Sequence, residues 1–312
     1  MQNEPSPSPT APLGREEYIE QSHFFRSLAE RLAENVPAQE VLQSIREEVL
    51  ATTKLPLAID FLLGELRHLG VLGPAMARLP HYFTPFQTFV VQESENERLR
   101  FDLRIGLEIL RREAEYRAES PSRQGVFLYQ FEAISRNRLG YDRGLEAIAL
   151  DPTFDNVWRD WIRQVRRQIG MVDLADLIYV YSEYYWQRQN ADAARALSRD
   201  AERSANDSEP TAPEIIIEAP DKPELALFGE REGRIALANR RKDPLYLFAS
   251  LHRQLGYPEV PRPKPDEGGQ LHLPQLARRL EQLEMRIKLV EDEQRGGIDL
   301  TKFYVRPDQD NA

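Results

Sequence analysis

From Arg15 to about residue 206, apolar residues return every three or four positions, and no convincing strand pattern interrupts them. A chain patterned this way buries its apolar stripes only by packing helix on helix. The pattern therefore predicts an all-α protein, an irregular multi-helix bundle or solenoid-like stack, with a C-terminal amphipathic, coiled-coil-like helix.

Tyr18, Phe25, Leu28 and Leu32 mark the buried face of the first helix. Pro37 fits the first position of the second, which carries Val41, Leu42, Ile45 and Val49. The stretch LPLAIDFLLGELRHLG is apolar around most of its circumference and ends at Gly70, so it is expected at the centre of the fold. Thr84 and Pro85 read as an N-cap and first-turn pair. ENERLRFDLRIGLEILRREAEYRAE is expected to be one long helix with Leu99, Leu103, Leu107 and Leu110 buried. Further helices are predicted at about 121–138, 142–150, 153–169, 172–189 and 191–205.

Proline divides the chain. Of 22 prolines against 16 glycines, clusters fall at the amino terminus, in DSEPTAPEIIIEAPDKP and in YPEVPRPKP. The predicted organisation is a disordered tail over 1–14, a helical domain over 15–206 and a linker over 207–223. A small helical module over 224–270 follows, opened by Asp243 and Pro244 and stopped by Gly256, then a heptad helix over 271–296 and a tail over 297–312.

AIALDPTFDNVW resembles the junction between tetratricopeptide units, with Asp151, Pro152 and Trp158 at matching offsets and Ala147 where a small residue belongs. The resemblance covers about 20 residues and implies paired antiparallel helices. It departs from the family where close helix crossings need Gly or Ala, because Ile162, Leu174 and Tyr181 stand there. No second copy appears near a 34-residue period. The stretch is accordingly read as an ordinary turn in which Asp151 caps, and Pro152 begins, the next helix.

The absence of cysteine excludes disulfides, thiolate nucleophiles and Cys-ligated metal. Glycine-rich phosphate loops, Gly-x-Ser-x-Gly and His-Glu-x-x-His are also missing. The sharpest enzymatic pattern is a pair of Glu-x-x-His motifs, Glu20 with His23 and Glu65 with His68. Two such motifs plus two further glutamates form the ligand set of di-iron bundles, and Glu108 or Glu113 would complete it. On a helical wheel, however, Glu20 and His23 project away from the apolar face.

A net charge of −10 argues against chain-wide attraction to nucleic acid or anionic lipid. Two local basic patches, Arg159, Arg163, Arg166 and Arg167, and Arg240, Arg241 and Lys242, are read as salt-bridged helix faces. The aromatic run DLIYVYSEYYWQRQ carries Leu174, Leu177, Ile178, Tyr181 and Tyr185 at core spacing, so it is read as a buried stripe before a stacking platform. With no apolar run long enough to span a bilayer and no signal-like amino terminus, the expectation is a cytoplasmic protein without membrane contact.

Interaction signals lie late in the chain. Leu273, Leu276, Leu280, Leu283, Ile287 and Val290 alternate spacings of three and four, the seam of a coiled coil suited to a homodimer or to docking on the same chain. Ile215, Ile216 and Ile217 suit either addition to a partner's sheet edge or a strip lying on their own domain. The sequence thus points to a non-catalytic protein–protein interaction or scaffold protein that needs no cofactor. A metal-dependent helical enzyme using Glu20, His23, Glu65 and His68 is the alternative.

Overall fold

The computed structural model describes residues 12–96, 101–200 and 225–262. Among them are thirteen helices: α1 (Arg15–Ala33), α2 (Ala38–Glu48), α3 (Leu55–Leu69), α4 (Gly73–Ala77), α5 (Pro85–Glu95), α6 (Leu103–Ala118), α7 (Arg123–Arg136), α8 (Tyr141–Ala149), α9 (Asn156–Gln168), α10 (Leu174–Val180), α11 (Glu183–Asp200), α12 (Glu230–Asn239) and α13 (Pro244–Leu255). The fold is all-α. Among the described residues β-structure is confined to two isolated bridges, Ile169 with Val172 and Ser182 with Phe228. No described helix is long and apolar enough to cross a membrane.

Local chemistry sets most boundaries. Thr84 and Gln87 form a reciprocal capping box ahead of α5, with Pro85 in its first turn. Gly70 and Gly256 end α3 and α13 with φ of 71° and 67°, the left-handed geometry glycine adopts without strain. The long helix expected from residue 95 onward is instead divided: α5 ends at Glu95, and Asp102, accepting the Arg104 amide, caps a new helix.

The expected helix over 172–189 is divided as well. Ser182 donates to the Tyr179 carbonyl (2.6 Å) and accepts the Tyr185 amide (3.3 Å), while Tyr181 and Glu183 pair with Leu227 and Phe228 through their backbones. A hydroxyl that offers the backbone another partner favours a helix break.

The most extensive helix contact is α1 on α6. Gln21 of α1, fully buried, donates to the Tyr82 carbonyl (3.1 Å) and accepts from Gln87 of α5 (3.1 Å). Glu17 and Glu20 accept the amides of Lys54 (2.8 Å) and Leu50 (3.0 Å), fixing the turn between α2 and α3.

Residues 225–262, expected to begin a module of their own, share the core of 15–200. Phe228 stacks edge-on against Trp158 (5.4 Å) and Trp161 (5.1 Å). Tyr257 donates to Glu132 (2.7 Å), and Arg112 and Asn137 hold the carbonyls of Glu259 (2.7 Å) and Pro261 (3.0 Å). Gly233 permits the contact with α10 and α11: a Cβ there would lie 2.2 Å from Ser182 Oγ and 2.8 Å from Tyr184 Cβ. Gly233→Ala is accordingly expected to destabilise the protein by about 1–3 kcal/mol, read as a lower urea midpoint.

Helix α3 departs most from expectation. Leu55, Ala58, Ile59, Leu62 and Leu66 are buried, but the opposite face is open, with Leu57 74% exposed. The helix is peripheral, not central.

Candidate functional site

The turn ALDPTFDNVWRDW leads to the most polar part of the interior. Asp151, Pro152, Thr153 and Phe154 form a β-turn closed by the Phe154 amide on the Asp151 carbonyl (3.1 Å), with Pro152 at its second position. The cap of α9 is Asp155, which accepts the Trp158 amide (3.1 Å). Asp151 therefore does not cap the helix and Pro152 does not begin it, because the turn occupies four residues before α9 starts.

Asp151 points inward. Its carboxylate accepts from Arg117 and from the Thr153 amide (2.9 Å), while Arg117 also donates to Glu113 (2.9 Å) and Thr153 (2.8 Å). Gln130 of α7 donates to Glu113 (2.7 Å) and Asp151 (3.2 Å). Arg117, Glu113 and Asp151 are all buried, and the guanidinium lies over the Tyr18 ring at 5.9 Å.

Two carboxylates share one cation, so their protons divide unequally. Burial pushes the Glu113 carboxyl above its ordinary value, although Arg117 opposes it. Burial works the same way on Asp151, but Arg117 and the Thr153 amide outweigh it and hold Asp151 below its ordinary value. The cluster is thus an Asp151–Arg117 ion pair beside a Glu113 carboxyl that holds its proton more tightly than it would in water. Sealed from solvent, it joins α6, α7 and the α8–α9 turn. The readable signal was Arg117 on the continuation of the line Leu103, Leu107 and Leu110, with Glu113 four residues before it, an opposite-charge pair at core positions.

The Glu-x-x-His motifs are engaged separately. Glu20 accepts the Leu50 amide, and His23 faces Glu48 (3.4 Å). Glu65 pairs with Arg78 (2.5 Å), and His68 is exposed near the end of α3. Glu108 binds Arg111 and Arg112 (2.6 and 2.8 Å), and Glu113 belongs to the buried cluster. Among the described residues no three His, Asp or Glu side chains form a group able to hold a metal ion.

The basic patches are interleaved with acids. Arg166 reaches Asp142 (2.6 Å) and Glu146, and Arg240 pairs with Asp176. Leu174, Leu177 and Ile178 are buried, whereas Tyr181 and Tyr185 are half-buried around the break after α10. Ile215, Ile216, Ile217 and the heptad positions Leu273, Leu276, Leu280, Leu283, Ile287 and Val290 lie outside the described residues.

Among the cavities on the surface of the described residues, two bear on function. One, about 430 Å³, lies between α1 and α6 and is rimmed by Arg15, His23, Arg26, Glu115 and Glu119. The other, about 400 Å³, is a groove where α5 and α8 meet the turn after α4. Its apolar lining is Pro80, Phe83, Pro85, Phe89, Ala147 and Leu150. Leu150 is half exposed at its edge, and Ala77 stands exposed on its wall.

The groove's charges neutralise one another. Arg166 bridges Asp142 and Glu146, and Arg143 donates to Glu93 (2.9 Å) and Gln92 (3.2 Å). Gly144 lets α8 sit close to α5 and α7, since a Cβ would lie 2.6 Å from Ile134 and 3.1 Å from Phe89. The result is an apolar cleft with a polar rim, suited to enclosing an apolar side chain rather than to activating a nucleophile. Sequence reading missed it because its walls come from segments about 60 residues apart.

No family model matches this chain, no curated protein matches it significantly, and no solved structure matches its fold significantly.

Proposed function

We propose that this is a non-catalytic interaction protein whose helical body receives a partner segment in the groove between α5 and α8. The supporting observation is that groove: an apolar cleft of about 400 Å³ whose rim arginines are already committed to Asp142, Glu146, Glu93 and Gln92. A polar rim around an apolar centre fits a peptide presenting a bulky apolar residue flanked by polar ones.

Ala77→Trp and Leu150→Glu test this reading, since both positions are exposed and tolerate substitution. Expected is a partner retained by the wild-type protein and lost with each variant, with the melting temperature unchanged. Retention of every partner by both variants would remove the groove from the account. The late segments carrying Ile215–Ile217 and Leu273–Val290 are proposed as further contacts, with the homodimer read from the heptad as one outcome. A cytoplasmic setting belongs to the same proposal.

A further inference from the structure

Among the described residues no element covers the outer face of α3, and its residues are arranged to meet a second copy of themselves. Gly64 lies at the centre of that face, opposite the buried line of Leu55, Ile59, Leu62 and Leu66. A Cβ there would meet nothing within 4 Å, so no neighbour among the described residues requires glycine, although mid-helix glycine destabilises a helix relative to alanine. What glycine does supply is close approach from outside.

The flanking residues divide into two sides. At 100° per residue, Asp60 and Arg67 fall about 40° and 60° to one side of Gly64, and Leu57, His68 and Phe61 fall about 20°, 40° and 60° to the other. Two copies of α3 related by a two-fold axis and crossing antiparallel at Gly64 keep each side together while reversing its direction. Asp60, about 6 Å before Gly64, then stands level with the Arg67 of the second copy, about 4.5 Å beyond it. On the other side, each His68 falls between the Leu57 and Phe61 of its mate.

We infer that the protein self-associates through α3, an antiparallel helix pair centred on Gly64. Opposite charges meet on one edge and an imidazole fills an apolar notch on the other. A parallel pair would reverse the sides and set the Asp60 and Arg67 edge of one copy against the Leu57, Phe61 and His68 edge of the other, which is why the antiparallel one is assigned. Within its own chain Asp60 is already engaged by Arg46, and Phe61 lies under Arg78 at 5.3 Å, so both are held in place before a second copy arrives.

Because the chain has no cysteine, Gly64→Cys introduces a single thiol, and Met171→Cys, 76% exposed and on another part of the fold, controls for random collision. In the full chain under mild oxidation, disulfide-linked dimers are expected to form at least about tenfold faster at Cys in place of Gly64, since pairing raises the effective concentration of the two thiols. Adding Arg67→Asp is expected to abolish that excess, and adding Asp60→Arg with Arg67→Asp to restore it. Equal rates at the two positions, or an excess indifferent to Arg67→Asp, would overturn the pairing. A dimer seen by sedimentation that fails both tests would place self-association elsewhere. The α3 variants are expected to leave partner capture by the groove intact, so either reading can fail alone.

Discussion

Asp151→Ala is expected to lower unfolding stability by about 3–5 kcal/mol, a loss read from chemical denaturation followed by circular dichroism, because it strips a buried guanidinium of its ionised partner. Part of the loss is recoverable within the cluster. With Asp151 gone, the Arg117 charge favours ionised Glu113, so that carboxyl is expected to release its proton at lower pH. A surface ion pair behaves otherwise: deleting Asp60 or Asp142 is expected to cost at most about 1 kcal/mol.

The pH dependence of the wild-type protein follows from the two carboxyls. Glu113 is raised above its ordinary 4.5, so the folded state holds a proton that the unfolded chain has released. Its contribution is full below 4.5 and declines as pH rises through the folded value. Asp151 works in the opposite sense: its contribution is full above the ordinary 3.8 and is lost as pH falls through the depressed value. Glu113→Gln, which mimics the protonated acid, is expected to flatten the alkaline decline while leaving the acid side alone. A variant that loses stability equally at every pH would show that Glu113 is ionised in the fold.

Trp161→Ala is the second large effect, expected at about 3–5 kcal/mol and a melting temperature lower by about 6–20 °C. Trp161 is 2% exposed and touches Phe127 (4.9 Å), Trp158 (5.5 Å), Phe228 (5.1 Å) and Tyr181 (6.1 Å) between ring centres. Its indole nitrogen is buried without a hydrogen-bond partner among the described residues. Trp161→Phe keeps most of the packing and removes that unsatisfied donor, so it is expected to cost well under half as much. Equal losses for Ala and Phe would mean that the indole nitrogen is bonded after all.

Much of what is decided within a few residues was legible in the sequence, although the Asp102 cap of α6 and the Asp155 cap of α9 were not read. Thr84 and Pro85 ahead of α5, Gly70 after α3, and Asp243 with Pro244 and Gly256 around α13 stand as the cap chemistry demands. Periodicity also separated the buried and exposed faces of α1. It could not say what covers a helix that is apolar all round, so α3 was expected at the centre although Leu57 and Gly64 face outward.

Contacts across long sequence separations were likewise hidden. Arg117 and Asp151 are 34 residues apart, and neither announces the other. The candidate groove was unreadable for the same reason: Phe89 and Ala147 are each ordinary core residues until α5 and α8 are set side by side. The break after α10 shows a local signal overridden, since a helical aromatic run yields to the backbone of Leu227 and Phe228.

That pairing has a consequence for how the molecule is made. Phe228 is translated 67 residues after Trp161, the difference between their positions, which at synthesis rates of about 5–20 residues per second leaves an interval of roughly 3–13 seconds. During it the two indoles of α9 lack the Phe228 ring that packs edge-on against both. Until Phe228 arrives, that flank of α9 lacks part of its apolar cover, the kind of exposed surface through which incompletely folded chains associate.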